Sequence, residues 1–168
     1  MPHSMYKASV PLFVRQLTSL SNILKTAEAF AEAKKIDPSV LINARLAPDM
    51  HPLNRQIQVA SDAVKGGVAR LGEMEAPSYP DTETTFAELQ ERIAKTIAFI
   101  ESVPAEKIDG SEERTITMKI GPNEMSFPGL SYLSHLVIPN FYFHVTTAYN
   151  ILRHNGVEIG KRDYIGSI

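Results

Sequence analysis

The stretch at residues 139–156, PNFYFHVTTAYNILRHNG, decides the fold because it carries both a start signal and a stop signal for one amphipathic helix. Proline is tolerated in the first turn of a helix, and Gly156 can adopt the left-handed backbone conformation that ends one. Val157 follows at the position of the apolar contact that accompanies such an ending. At about 100° per residue, the inner face of this helix is a narrow apolar line made of Phe141, Val145, Ala148 and Leu152. The stretch therefore predicts a helix of about four turns that buries one side.

Three earlier stretches repeat apolar residues at steps of three and four, as helices that face a bundle core do. Thr85 and Glu88 have the spacing of a capping box, which opens the third of these helices. The opposite face of that helix carries Glu91, Arg92 and Lys95, which we expect to lie in solvent. The stretches are at residues 10–35, 52–71 and 85–100, and their inner lines are Phe13, Leu17, Leu20, Leu24, Ala27 and Ala31; Leu53, Ile57, Ala60, Val64, Val68 and Leu71; and Phe86, Leu89, Ile93, Ile97 and Ile100.

Four long amphipathic helices predict an all-α four-helix bundle in one domain, residues 1–168. Before the last helix, Ile116, Met118 and Ile120 alternate with polar residues, and a Gly-Pro-Asn turn follows at 121–123. We expect a small β-hairpin in this crossover, packed across one end of the bundle because an isolated hairpin is marginal. The glycine pair at 66–67 inside the second helix predicts a close approach to a neighbouring helix.

Composition narrows the classes of function. The 168 residues contain no cysteine, which excludes thiol nucleophiles, disulfides and cysteine-ligated zinc. The 17 basic and 19 acidic residues nearly balance, so there is no electrostatic reason to expect a nucleic-acid partner. The first residues lack the apolar segment of a signal peptide, and no run approaches the roughly 18 apolar residues of a membrane span. We therefore expect a soluble cytoplasmic protein without nucleic-acid or membrane partners.

Three segments carry a family resemblance: LINARLAPDMHPLNRQIQ at 41–58, PDTETTFAELQERIAKT at 80–96, and PNFYFHVTTAYNILRHNGVEIGKRDYIG at 139–166. Together they resemble a bacterial and fungal domain-of-unknown-function family within the DinB/YfiT-like four-helix-bundle superfamily. The resemblance implies a DinB-like bundle and favours a homodimer, since many members are homodimers. Enzymes of the superfamily include thiol-dependent transferases and a maleylpyruvate isomerase. In them, a histidine of the second helix joins an HxxxH pair of the last helix to bind a divalent ion.

This chain departs from that metal-binding pattern. His144 lies where the first histidine of the pair falls, but Ala148 stands at the fourth residue after it. His51 precedes Pro52 and points away from the inner line of the second helix. A catalytic zinc or nickel site needs about three protein ligands, and His144 is the only well-placed candidate. We therefore predict no cofactor and disfavour a divalent metal.

The candidate ligand-binding residues are His144, Gln56, Tyr149, Asp49 and Arg55. We expect the first three to line a mostly apolar pocket between the second and the last long helix. Structural roles compete with this interpretation: His144 can be satisfied by a buried partner such as Gln56 or a tyrosine, Asp49 can cap the second helix, and Arg55 can form an ion pair.

Three hypotheses of function follow. The first is a helical-bundle protein that binds a small molecule in the pocket between helices. The second is a divalent-metal-dependent transferase or isomerase of the DinB-like type, with His144 assisted by Asp49 or Gln56. The third is a homodimeric interaction protein without catalytic activity, whose contact uses Phe99, Tyr142, the hairpin and the tail at 157–168.

Overall fold

The computed structural model describes residues 4–166, with Ile120 described by its backbone only. The last two residues of the predicted tail therefore lie outside the described part of the chain. The chain is mostly helical, and the four predicted long helices are present. In chain order the elements are α1 (Val10–Lys34), α2 (Pro38–Ile42), α3 (Leu53–Leu71), α4 (Phe86–Ser102), α5 (Ala105–Ile108), β1 (Thr115–Ile120), β2 (Asn123–Pro128), α6 (Gly129–Tyr132), a π-helical turn (Leu133–Val137), α7 (Ile138–His154) and α8 (Lys161–Ile165).

The long helices α1, α3, α4 and α7 form the bundle, which confirms the predicted fold class. α3 packs against both α4 and α7, and α1 packs against the same two helices from the other side of the core. The inner lines are buried except at the partly buried Ile97, and Leu17, Val64 and Leu152 have no exposed surface. Phe13 of α1 meets Phe141 of α7 edge to face, with ring centroids 5.2 Å apart. Apolar burial along these four lines holds the bundle together.

The helix ends form where the sequence predicts them. The Thr85 hydroxyl accepts a hydrogen bond from the Glu88 N–H at 3.2 Å, and the Glu88 carboxylate accepts one from the Thr85 N–H at 3.0 Å. After α7, Gly156 adopts a φ of 92°, and the buried Val157 donates its N–H to the Leu152 carbonyl at 3.1 Å. Both arrangements satisfy backbone groups that a helix end leaves unpaired.

The start of α7 lies slightly earlier than the proline alone suggests. α7 begins at Ile138 and continues directly from the π-helical turn, so Pro139 occupies its first turn without breaking the helix. The missing N–H of Pro139 removes one hydrogen bond from this continuous helix, and the wider turn in which the Ile138 N–H bonds to the Leu133 carbonyl lies directly before it.

The crossover contains the predicted hairpin. β1 and β2 are antiparallel, with Ile120 opposite Asn123, so Gly121 and Pro122 form the two-residue turn. Gly121 has a φ of 59°, which a two-residue hairpin turn requires. The buried side chain of Ile116 anchors the hairpin, and both strands contact α6 at the entry to the last helix.

The glycine pair in α3 does permit a close approach. A Cβ built on Gly67 would lie 2.6 Å from Cγ1 of Val137, so the side chain of the π-helical turn occupies the space that the glycine leaves. This contact sets how deeply the segment before α7 packs against α3.

The tail folds back on its own bundle. Gln16 of α1 donates from Nε2 to the carbonyl of Tyr164 at 3.0 Å, and the Tyr164 and Thr146 hydroxyls are 2.8 Å apart. Phe99, which the third hypothesis assigns to a contact between subunits, is half-buried against the core. Within residues 4–166, no helix is long and apolar enough to span a bilayer.

Candidate functional site

His144 and Gln56 face one another across the seam between α3 and α7. The two helices run antiparallel, since Gln56 meets His144 near one end of the seam while Gly67 meets Val137 near the other. Gln56 is 1% exposed and His144 is 9% exposed. Nδ1 of His144 lies 2.7 Å from Oε1 of Gln56, so the predicted partnership of these two residues is present.

A chain of hydrogen bonds determines which ring nitrogen of His144 carries the proton. Gln56 donates from Nε2 to the backbone carbonyl of His51 at 2.9 Å. Turning this amide over would place two oxygens against each other, so the Gln56 oxygen must face His144. Since that oxygen only accepts, Nδ1 is the protonated nitrogen and Nε2 keeps its lone pair. Among the described residues, none forms a hydrogen bond with Nε2.

The surroundings of His144 keep the imidazole neutral. Burial lowers the pKa of His144, and the nearby positive charges of His51 and Arg55 lower it further. The exposed ring of Phe143 meets the imidazole edge to face, with centroids 5.2 Å apart. The site therefore presents a neutral histidine whose free nitrogen is an acceptor.

We expect the stability of the protein to fall as the solution is acidified past the ordinary histidine pKa of about 6.5. The pKa of His144 is below that value in the folded chain and ordinary in the unfolded chain, so the unfolded chain binds more protons between the two values. The contribution is complete above about pH 6.5 and is lost as the pH falls through the folded-state pKa. Urea unfolding from about pH 5 to 8 measures it, and His144→Asn should flatten the profile.

Two further variants sharpen this titration. His154→Asn changes an exposed histidine of the same helix that does not contact Gln56, and it serves as the control for the loss of an imidazole. Gln56→Glu places a carboxylate against Nδ1 and should raise the pKa of His144, because the imidazolium then gains an opposite charge. A His144 pKa at or above about 6.5 in an NMR titration of the wild type would contradict the proposed environment.

The other predicted site residues do not join His144. Tyr149 lies about 140° away around α7 and packs edge to face on Tyr164 of α8, with centroids 5.8 Å apart. Asp49 is exposed in the turn before α3. The residue at the N-cap of α3 is Pro52, and no side chain caps this helix, so the predicted capping role of Asp49 is wrong. The connection through Met50 to Pro52 separates Asp49 from the first turn of α3.

Arg55 has the competing structural role. Its guanidinium forms an ion pair with Asp81 and donates to Oε1 of Gln58 at 3.2 Å. Arg55 acts on His144 through its charge. The structure does not bring His144, Gln56 and Tyr149 together, and it pairs Arg55 with Asp81.

The residues around His144 do not fit the three-histidine metal centre of the superfamily. Gln56 stands on α3 opposite His144 and takes up Nδ1, while Ala148 offers no ligand one turn later. Within residues 4–166, no group of three or more histidine and carboxylate side chains is placed to hold an ion. An ion at Nε2 would have one protein ligand, whereas such centres need about three.

Sequence reasoning missed a buried arginine. Arg92, predicted to be solvated, is 2% exposed and lies at the centre of a polar cluster. Its guanidinium bonds Glu83 at 2.9 Å and the Pro80 carbonyl at 3.2 Å, and it pairs with Asp62 at 3.1 Å and Asp81 at 3.0 Å. The connection between α3 and α4 folds over this face of α4, which the helical period alone does not reveal. The carboxylates of Asp81 and Glu83 in this connection were the sequence signal that could have indicated a partner for Arg92.

The Arg92 cluster is balanced in charge. Asp62, Asp81 and Glu83 supply three carboxylates, and the three facing cations are Arg92, Arg55 and Lys65. Because each charge has a partner within the protein, the cluster holds the connection against α3 and α4, and Arg55 lies at its edge with a side chain that is 38% exposed.

Comparisons with known proteins agree with this fold. The domain-of-unknown-function family DUF1993 matches residues 5–165. A crystal structure of a DinB family member protein from Shewanella denitrificans is similar to this chain with a TM-score of 0.88 and 43% sequence identity, covering 97% of this chain and 92% of that one. Among functionally curated proteins, no sequence matches. The family and fold are thereby established, and function has to be argued from the residues.

Proposed function

Because the chain belongs to the DUF1993 family and is similar in fold to a DinB family member, we propose that it binds a small molecule through His144 at the seam between α3 and α7. The observation that supports this is the relay from the His51 carbonyl through Gln56 to Nδ1. The relay fixes the imidazole through Nδ1 and leaves Nε2 as a hydrogen-bond acceptor on a neutral ring. A ligand with an O–H or N–H group would complete its hydrogen bonding.

The charges near His144 favour one chemical class of ligand. The positive charge of the Arg55 guanidinium acts on the ring from the edge of the Arg92 cluster. A ligand with a negative group beside its donor would interact favourably with that charge, while Nε2 accepts a hydrogen bond from the donor. A small hydroxy acid has both features. The proposed function is therefore the binding of a hydroxy acid or a similar small anion.

The test uses protein labelled with 15N in its histidines. The Nε2 signal of His144 reports its protonation, and we expect an unprotonated Nε2 in the free protein. Lactate, glycerate and malate are the probes, while propionate and succinate are the matched acids of lactate and malate without the hydroxyl. We expect the hydroxy acids to shift the Nε2 signal and the matched acids to shift it less, because only the hydroxyl donates to Nε2.

Matched variants separate a specific site from a general effect. His144→Ala should abolish binding of the hydroxy acids, and His154→Ala, which removes an exposed histidine of the same helix, should retain it. A protonated Nε2 in the free protein, or probes that leave the signal unmoved, would count against the proposal. So would about one divalent ion per chain that survives dialysis, because the ion would then occupy the acceptor nitrogen.

A further inference from the structure

A cavity lies farther along the same seam. It has a volume of about 380 Å³ and opens between α3, β1 and the segment that leads into α7. Its apolar wall consists of Val59 and Ala63 of α3, Met118 of β1, and Leu136 and Val137 of the π-helical turn. Small-molecule sites are mostly apolar clefts of about 300–1,000 Å³ with a few polar groups. The cavity has this size and composition, and His144 does not line it.

Two cations border this cavity. Arg70 of α3 and Lys119 of β1 line it, and within residues 4–166 neither forms a salt bridge with a carboxylate. Asp62 also lines the cavity, but its carboxylate is already held by Lys65 at 2.9 Å and by Arg92 at 3.1 Å. Lys119 lies opposite Glu124 in the hairpin register, so Arg70 carries most of the free positive charge at the cavity, in contrast to the balanced Arg92 cluster next to it.

The guanidinium of Arg70 is held over α3 by two neighbours. Its Nη1 donates to the hydroxyl of Tyr132 at 3.2 Å, and Tyr132 is only 2% exposed. A Cβ built on Gly66 would lie 2.6 Å from the same Nη1, so the glycine leaves the space in which the guanidinium lies. Burial raises the pKa of Tyr132, which keeps its hydroxyl protonated and able to donate to a ligand while it accepts from Arg70.

The backbone next to the cavity is unusual as well. Leu136 and Val137 belong to a π-helical turn. Such single turns are rare in proteins, and those that occur are often found at functional sites. Asn140, in the first turn of α7, adds an amide group to the rim of the cavity. Polar groups from α3, α6, β1 and α7 thus converge on one apolar space.

We propose that this cavity binds a small organic carboxylate with an apolar body. The carboxylate accepts hydrogen bonds from Arg70 and from the Tyr132 hydroxyl, and Lys119 adds a second positive charge. The apolar body lies against Met118, Leu136 and Val137. This site uses none of the groups that face His144, so its ligand is independent of the function proposed above.

Calorimetric titration with three probes tests the proposal on the full chain. Sodium octanoate combines a carboxylate with an apolar body, 1-octanol has the apolar body alone, and inorganic phosphate has the charge alone. We expect octanoate to bind one per chain and octanol to bind at least about tenfold more weakly, because the charge-assisted hydrogen bonds are lost. Phosphate should show no measurable binding, because it does not displace water from the apolar wall of the cavity. Equal affinity for octanoate and octanol, or no octanoate binding, would overturn the proposal.

Variants assign the carboxylate to its partners. Arg70→Gln should weaken octanoate by about tenfold or more and leave octanol unchanged, while Lys119→Gln should weaken octanoate less. Gly66→Ala should also weaken octanoate, because the added methyl displaces the guanidinium that is still present. Arg15→Gln removes an exposed arginine of α1 and serves as the control. Octanoate binding to folded Arg70→Gln with wild-type affinity would refute the site. His144→Ala should bind octanoate normally, so failure of either proposed site can be told from failure of the other.

Discussion

Replacing Arg92 with methionine is expected to lower the free energy of unfolding by about 3 kcal/mol. Methionine fills much of the same space, but it leaves Glu83, Asp62 and Asp81 without the cation that joins them. Removing one partner of a buried ion pair is costly because the other partner stays desolvated. Glu83, whose side chain is 11% exposed, bears most of this cost, while the aspartates are exposed enough to regain water.

Urea unfolding at about pH 7 measures this loss, with two companion variants. Lys95→Met breaks a surface pair with Glu91 in which both side chains are more than half exposed, so we expect a much smaller change than in Arg92→Met. Arg92→Lys should fall between the wild type and Arg92→Met, because one ammonium group cannot reproduce the planar array of guanidinium donors. A loss of less than about 1 kcal/mol in Arg92→Met would mean that the carboxylates rehydrate freely and that the cluster is not structural.

Gly129→Ala is expected to be about as damaging, with a loss of about 3 kcal/mol, the upper end of the usual cost of overpacking. A Cβ on Gly129 would lie 2.0 Å from the carbonyl oxygen of Ser111 and 3.0 Å from its carbon. The obstacle is backbone and cannot rotate aside. The next residue, Leu130, donates its N–H to the Glu112 carbonyl at 2.9 Å, so the two segments are tied together at this point. Relief of the clash would separate α6 from the chain that precedes the hairpin.

Gly66→Ala is the matched control for Gly129→Ala. Its added methyl would also meet an atom at short range, but that atom is the flexible end of the Arg70 side chain, which can swing away. Alanine also favours a helix interior over glycine by up to about 1 kcal/mol. We expect Gly66→Ala to be neutral or stabilising in the same unfolding experiment. Similar losses for both variants would show that the distance to the nearest atom matters and its mobility does not.

The sequence by itself was sufficient for the parts of the structure that depend on local order along the chain. The apolar periods predict the four long helices, and the Thr85 and Glu88 pair predicts the start of α4. Gly156 marks the end of α7, and alternation around 115–128 predicts the hairpin. Each of these signals acts within a few residues, because helix periods, caps and turns are set by neighbouring backbone and side-chain geometry.

Only part of the candidate site could be predicted from the sequence. A helical wheel places His144 and Gln56 at the edges of their inner faces, so their meeting could be anticipated. It also places Tyr149 about 140° from His144, which already argued against a shared pocket. The tautomer of His144 could not be anticipated, because it depends on the His51 carbonyl, a backbone group whose direction is set by the entry into α3.

Only the tertiary structure decided which polar residues are buried and which cations are left without a partner. Arg92 occupies an outward position of its helix and is nevertheless buried, because the connection at 72–85 folds over it and brings Asp81 and Glu83. Arg70 looks like an ordinary surface residue in the sequence, yet it lies beside Tyr132, 62 residues away, at the rim of an apolar cavity. Helical periods report the average face of one element, whereas burial and charge balance depend on what other elements place against it.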